Sequence, residues 1–220
     1  MFRAAALALL ALATPAIVTP AGAHPHVIVD MQSSVVMNSQ GLIEGFDVEW
    51  TFDDAYAQTA IEGLDLDGDG TYSSTELQPL TNENIASLKE FEYFTVMRLK
   101  GERLPIADVT KFGQIFANGK LTLYFRVPLR QPADPKSGKF MVKVYDPEFF
   151  IAFDYAEDAT VGVDGVLPAT CAIDLQPLKS DAELDQTREM LSTKDKDWKP
   201  DTQEEFGAMF AQPVTVTCGS

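Results

Sequence analysis

The chain reads as mainly β, of the α+β class: an antiparallel β-sandwich-like domain with one helix–loop–helix segment inserted in it. Three observations predict this. Short runs that alternate apolar and polar residues recur along the sequence, broken by turns about every ten residues. The pattern changes once, over residues 53–91, from a period of two to helical spacing. No internal repeat, low-complexity linker or second core interrupts the remainder.

The first 23 residues are read as a signal peptide rather than as fold. Arg3 supplies a short positive region, Ala4 to Ala13 is an Ala/Leu run, and Ala21-Gly22-Ala23 is an A-x-A cleavage site. The apolar run is too short for a transmembrane anchor. The expectation is export to the periplasm and cleavage before His24, leaving residues 24–220 as a single periplasmic domain. Cleavage removes Arg3, one of 17 basic residues, and none of the 33 acidic ones, taking the net charge from −16 to −17. Such acidity excludes nucleic acid as a partner, since phosphate binding needs a basic patch. It favours cations.

The strands follow in order. Val27-Ile28-Val29-Asp30-Met31 and Ser34-Val35-Val36-Met37 precede a turn at 38–41, and Leu42 to Phe52 alternates cleanly through Phe46, Val48, Trp50 and Phe52. After the helical insertion, Thr95 to Lys100 turns at Gly101-Glu102 into the stretch Leu104 to Phe112. Asn118-Gly119 is the strongest hairpin signal, and Leu121 to Val127 alternates beyond it. Pro128 to Gly138 is read as a polar loop. Phe140 to Tyr145 and Phe149 to Tyr155 flank the turn Asp146-Pro147-Glu148, and Thr160 to Val163 is a further short strand. Residues 176–212 are read as a helical segment, with helices over 181–191 and 203–210 and a charged loop over 192–200.

The insertion carries the chemistry. Asp53 is a good N-cap for a helix whose apolar face runs through Tyr56, Ala57, Ala60, Ile61 and Leu64. Ser73-x-x-Glu76 is a capping box for a second helix starting near Ser74, a start taken to put Pro79 in the first turn, where proline is tolerated. Between them stand oxygen donors at loop positions 1, 3, 5, 9 and 12: Asp65, Asp67, Asp69, Ser73 and Glu76. Gly70 occupies position 6, and Thr71 at position 7 offers its carbonyl. This is the EF-hand calcium pattern. A hard cation takes six to eight oxygens, and a loop wound around it turns alternate residues inward. Position 8, which in paired EF-hands faces a second loop, is Tyr72. The sequence holds no second loop, so a structural calcium ion is expected rather than a switch.

Cys171 and Cys218 are the only cysteines. In an exported protein they are expected to form a disulfide, closing a loop of about 48 residues worth roughly 4 kcal/mol in the chain-entropy picture. The alternative is a two-thiolate metal site. The mature N-terminus would read His24-Pro25-His26, the only histidines in the chain. The free amine and ring nitrogen of His24, with His26, could hold Ni2+, Co2+, Cu2+ or Zn2+. The Asp146-Pro147-Glu148 turn offers candidate carboxylates to complete such a site, but plain hairpin chemistry around Asp-Pro is the stronger reading of that turn.

Several segments together resemble one family: His24-Pro25-His26-Val27, Trp50-Thr51-Phe52-Asp53, the loop Asp65 to Glu76, Asn84-Ile85-Ala86-Ser87-Leu88, Tyr93-Phe94-Thr95, and Tyr145 to Phe153. This is similar to a bacterial domain-of-unknown-function family, labelled the periplasmic component of an uncharacterised ABC-type transport system, with a single EF-hand loop. The resemblance implies a metal-handling accessory that works with an inner-membrane metal exporter of nickel/cobalt type. No catalytic residues follow from it, and both histidines at one terminus leave no hydrolase constellation to build. No enzyme activity is expected. The alternatives are a calcium-stabilised module binding protein or carbohydrate, and a metal-dependent enzyme.

Overall fold

The computed structural model describes residues 25–178, 182–193 and 206–219. Residues 1–23, read above as a signal peptide, His24 and most of the charged loop expected at 192–200 lie outside the described residues.

The alternating segments form two sheets. β1 (Val27–Met37) pairs antiparallel with β2 (Ile43–Phe52), in register Met31–Trp50 and Val35–Phe46. Further on come β3 (Thr95–Leu99), β4 (Glu102–Arg103), β5 (Phe112–Ala117), β6 (Lys120–Ala133), β7 (Phe140–Val144), β8 (Ile151–Asp154), β9 (Gly162–Asp164), β10 (Cys171–Leu175) and β11 (Val214–Cys218). The first sheet runs β5-β6-β2-β1-β8, with β9 also on β1; the second runs β10-β11-β7-β3-β4. Alternation puts one face of each sheet inward. Val29, Phe46, Val48, Trp50, Leu121 and Leu123 of the first meet Met97, Phe140, Val142 and Val216 of the second in one buried core. The fold is thus sandwich-like and mainly antiparallel, as its alternation predicts.

Four local expectations are corrected. The two predicted N-terminal strands are one continuous β1, and its pairings with β8 and β9 are parallel. The polar loop expected from Pro128 is strand as far as Ala133. A bulge next to Gly45 lies opposite Pro128, and a Cβ on Gly45 would stand 2.5 Å from the Val127 carbonyl oxygen. Leu104 to Lys111 is largely irregular, touching β6 through an Ile106–Leu129 bridge. The Asp146-Pro147-Glu148 turn is no hairpin: β7 and β8 belong to different sheets, so it crosses between them.

The helical insertion sits between β2 and β3 as α1 (Asp54–Ala60) and α2 (Ser74–Glu90). Pro79 lies inside α2 rather than in its first turn. Buried Leu77, Thr81 and Ile85 mark the inward face of α2; Thr81 Oγ1 stands 3.1 Å from Gln114 Oε1 on β5. The chain leaves α2 through a left-handed turn, with φ of 50°, 55° and 51° at Glu92, Tyr93 and Phe94. Each such residue costs about 1–2 kcal/mol. Tyr93 and Phe94 are buried, and the Tyr93 hydroxyl accepts from the Val109 N–H, which offsets that strain. α3 (Ala182–Ser192) matches the first helix expected between the cysteines; the described part of the second is a short 3-10 turn, Gly207–Met209. Among the described residues no helix is long and apolar enough to cross a membrane.

Candidate metal centre

The loop is held at both ends by capping chemistry that its sequence encodes. Asp53 caps α1, its Oδ1 accepting from the N–H groups of Ala55 and Tyr56 at 3.0 Å. Ser73 caps α2 in a complete capping box, with Glu76 reaching back to the Ser73 N–H at 2.8 Å. Between these caps the backbone folds around its own acids. Asp65 accepts from Gly68 and Gly70, Asp67 from Asp69, and Asp69 from Thr71. Gly68 and Gly70 stand at φ of 71° and 79°, where a side chain would be strained.

This folding brings acids together. One carboxylate oxygen each from Asp65, Asp67 and Glu76 lies within 4.8 Å of the others. Oxygens bound to one calcium ion at its usual bond lengths lie at most about 5 Å apart, so the three fit a common hard cation. Asp69 is not in that group; its Oδ1 takes the Thr71 N–H and hydroxyl, each at 2.7 Å. The Ser73 hydroxyl donates to Glu76 Oε2 at 2.7 Å, which places Ser73 beside the cluster. That hydroxyl first, then the N–H groups of Ser73 and Leu66, hold the Glu76 carboxyl down to about 2. It is therefore an anion at any neutral pH, as a cation ligand must be. The Tyr72 ring meets Phe116 of β5 edge-on at 5.0 Å. Sequence reasoning marked Tyr72 as unusual but missed this partner, because β5 is 40 residues further along the chain.

The second predicted site is only partly described. His26 sits just before β1, donates its N–H to the Phe150 carbonyl at 2.8 Å, and stacks its ring on Phe150 at 4.6 Å. His24 lies outside the described residues. The Asp146 carboxylate, a candidate to complete that site, is instead committed to its own turn, as plain turn chemistry would have it. It accepts from the N–H groups of Glu148, Phe150 and Ile151. Burial raises its pKa above the ordinary value despite those donors. Cys171 and Cys218 form a disulfide directly across the β10–β11 ladder, which excludes the two-thiolate metal site.

Comparison with known proteins adds a family. The family described as "Protein of unknown function (DUF1007)" matches residues 7–218. The chain belongs to the DUF1007 family. A relative from Haemophilus influenzae, named "Uncharacterized protein", is 26% identical over 198 residues, spanning 89% of this chain and 91% of that one. A second, the "Uncharacterized 15.5 kDa protein in trpE 3′ region" of Spirochaeta aurantia, is 36% identical over 86 residues, 39% of this chain and 61% of that protein. The DUF1007 match thus covers both sheets, the insertion and the disulfide-closed C-terminal part.

Proposed function

We propose that the mature chain is a periplasmic, non-catalytic metal-binding accessory protein, with a structural calcium ion in its helix–loop–helix. The observation that carries this reading is the approach of Asp65, Asp67 and Glu76 within 4.8 Å, in a loop whose twelve positions follow the EF-hand pattern. Asp69, the Thr71 carbonyl and Ser73 supply the remaining ligands once an ion draws the loop inward. Oxygen donors alone suit calcium over the softer metals. Thermal melting in calcium against chelator tests it. Calcium at a hundred times its Kd should stabilise the native chain by about 2.7 kcal/mol. Glu76→Gln should abolish that gain; an equal melting temperature with and without calcium in the unsubstituted protein would refute the site.

The transition-metal reading belongs to His24 and His26, with export and cleavage before His24 supplying a free amine. The bond and ring stack from His26 to Phe150 favour it, because they anchor the chain next to the proposed ligands. The partner implied is an inner-membrane transporter of nickel or cobalt type. Calorimetry with Ni2+, Co2+, Cu2+ and Zn2+ on protein beginning at His24, against protein carrying one extra residue before it, tests this. Blocking the amine should remove tight binding.

A further inference from the structure

We propose that the groove on the outer face of the second sheet binds a small organic anion, a carboxylate on an apolar or aromatic body, with Arg98 as its anchor. Alternation builds the floor of this groove. Met97 and Val142 are buried in the core, so their strand neighbours Val96, Arg98 and Met141 face outward. The space over them, about 710 Å³, is within the usual range for small-molecule sites.

Two walls line the floor. At one, the left-handed turn over 92–94 sets Phe91 against Phe94, their rings stacked at 5.3 Å, and leaves Phe91 56% exposed. At the other, the Lys143 ammonium donates to the Ala208 carbonyl at 2.9 Å and holds the Gly207–Met209 turn against the sheet. Lys143 thus serves the wall, and the anchoring charge comes from elsewhere.

Arg98 supplies it. Arg98 and Arg103 stand directly opposite each other in the β3–β4 ladder, and both line the groove. Like charges so placed oppose strand pairing. Glu92 pairs with Arg103, but among the described residues no acid pairs with Arg98. Arg98 Nη1 donates to the Gly101 carbonyl at 3.0 Å. That neutral acceptor steadies the guanidinium and leaves its charge uncompensated, although Arg98 is half-buried. The other lining acid, Glu90, is exposed to water. A guanidinium fork matches a carboxylate in two parallel bonds, and the ring of Phe91 and the thioether of Met141 accept an apolar body. A metal ion meets like charge here. A phosphate dianion brings more charge than Arg98 offsets, on a chain whose net charge is already −16. None of the calcium-loop residues lines the groove, so this inference stands apart from the metal reading.

The test is calorimetry on the mature protein with phenylacetate, its neutral isostere phenylacetamide, acetate and inorganic phosphate. Phenylacetate should bind, with the amide and acetate each about tenfold weaker. Arg98→Gln and Phe91→Ala should each weaken phenylacetate about tenfold with circular dichroism unchanged. The proposal is overturned if the amide matches phenylacetate, if phenylacetate does not bind folded protein, or if Arg98→Gln leaves its affinity untouched. Phosphate binding as tightly as phenylacetate overturns it too, since the groove would then select a bare oxyanion. Should Arg98→Gln fail to fold, the amide ratio and Phe91→Ala decide the matter.

Discussion

Asp53 and Ile28 hold each other in both directions: the Asp53 N–H donates to the Ile28 carbonyl, and the Ile28 N–H donates to Asp53 Oδ2, both at 3.0 Å. One side chain thus closes the β1–β2 pair, caps α1 and sets the direction in which the chain enters the acidic loop. Burial pushes its carboxyl up, but the N–H groups of Ile28, Tyr56 and Ala55 outweigh that and hold it below the ordinary value of 3.8. A depressed carboxyl stabilises the fold above its unfolded pKa and loses that contribution as pH falls through the folded one. Asp53→Ala should therefore cost about 1–2 kcal/mol at neutral pH. Urea melts of the substituted protein should show a shallower loss of stability in acid than the parent.

Tyr72 gives a second prediction. A lone loop lacks the neighbouring loop that steadies a paired one, and here the Tyr72 ring on Phe116 of β5 takes that place. Tyr72 is thus a positioning residue for the proposed calcium ion. Tyr72→Ala should weaken calcium about tenfold, the loss of an aromatic pair worth roughly 1 kcal/mol plus buried area. Tyr72→Phe should retain affinity. Calcium titration by calorimetry distinguishes the two; equal weakening by both would show that the hydroxyl, not the ring contact, matters.

What was legible in the sequence is what local chemistry decides. The Asp53 cap, the Ser73–Glu76 capping box and the Asn118-Gly119 hairpin are all present, the last with φ of 52° and 78°. Each depends on residues a few positions apart. The corrections fall where distant chain decides. Pro128 reads as a strand breaker until Gly45 and its bulge lie opposite it. The parallel pairing of β1 with β8 joins residues more than 120 positions apart, for which periodicity carries no signal. The twelve loop residues predict a shared set of oxygens; the structure brings Asp65, Asp67 and Glu76 together, whereas Asp69 turns its carboxylate to Thr71.

The disulfide joins two strands already paired with each other, Cys171 directly opposite Cys218. Its main effect is then on the unfolded chain, whose loop of about 48 residues it closes. Replacing both cysteines by serine should lower stability by about 2–4 kcal/mol. The ladder and the proposed calcium site should survive, with calcium affinity unchanged by calorimetry.

Tyr155 and Ser33 make a buried hydroxyl pair, 2.7 Å apart, between the segment after β8 and the middle of β1. Burial pushes the Tyr155 hydroxyl up to about 12 from its ordinary 10.0, only partly countered by the bond to Ser33. A phenol whose folded pKa is raised contributes stability that is complete below the unfolded value and lost as pH climbs toward the folded one. The native chain should therefore lose stability between about pH 10 and pH 12 in proportion to this one group. Tyr155→Phe removes the titration but strands the Ser33 hydroxyl, at a cost of about 1–3 kcal/mol near neutrality. The parent and Tyr155→Phe stability curves should thus converge as the medium becomes alkaline, whereas a constant gap across that range would mean the tyrosine ionises at the same pH folded and unfolded. Pairing Tyr155→Phe with Ser33→Ala should recover much of the loss, because removing both partners leaves no buried polar atom without a bond.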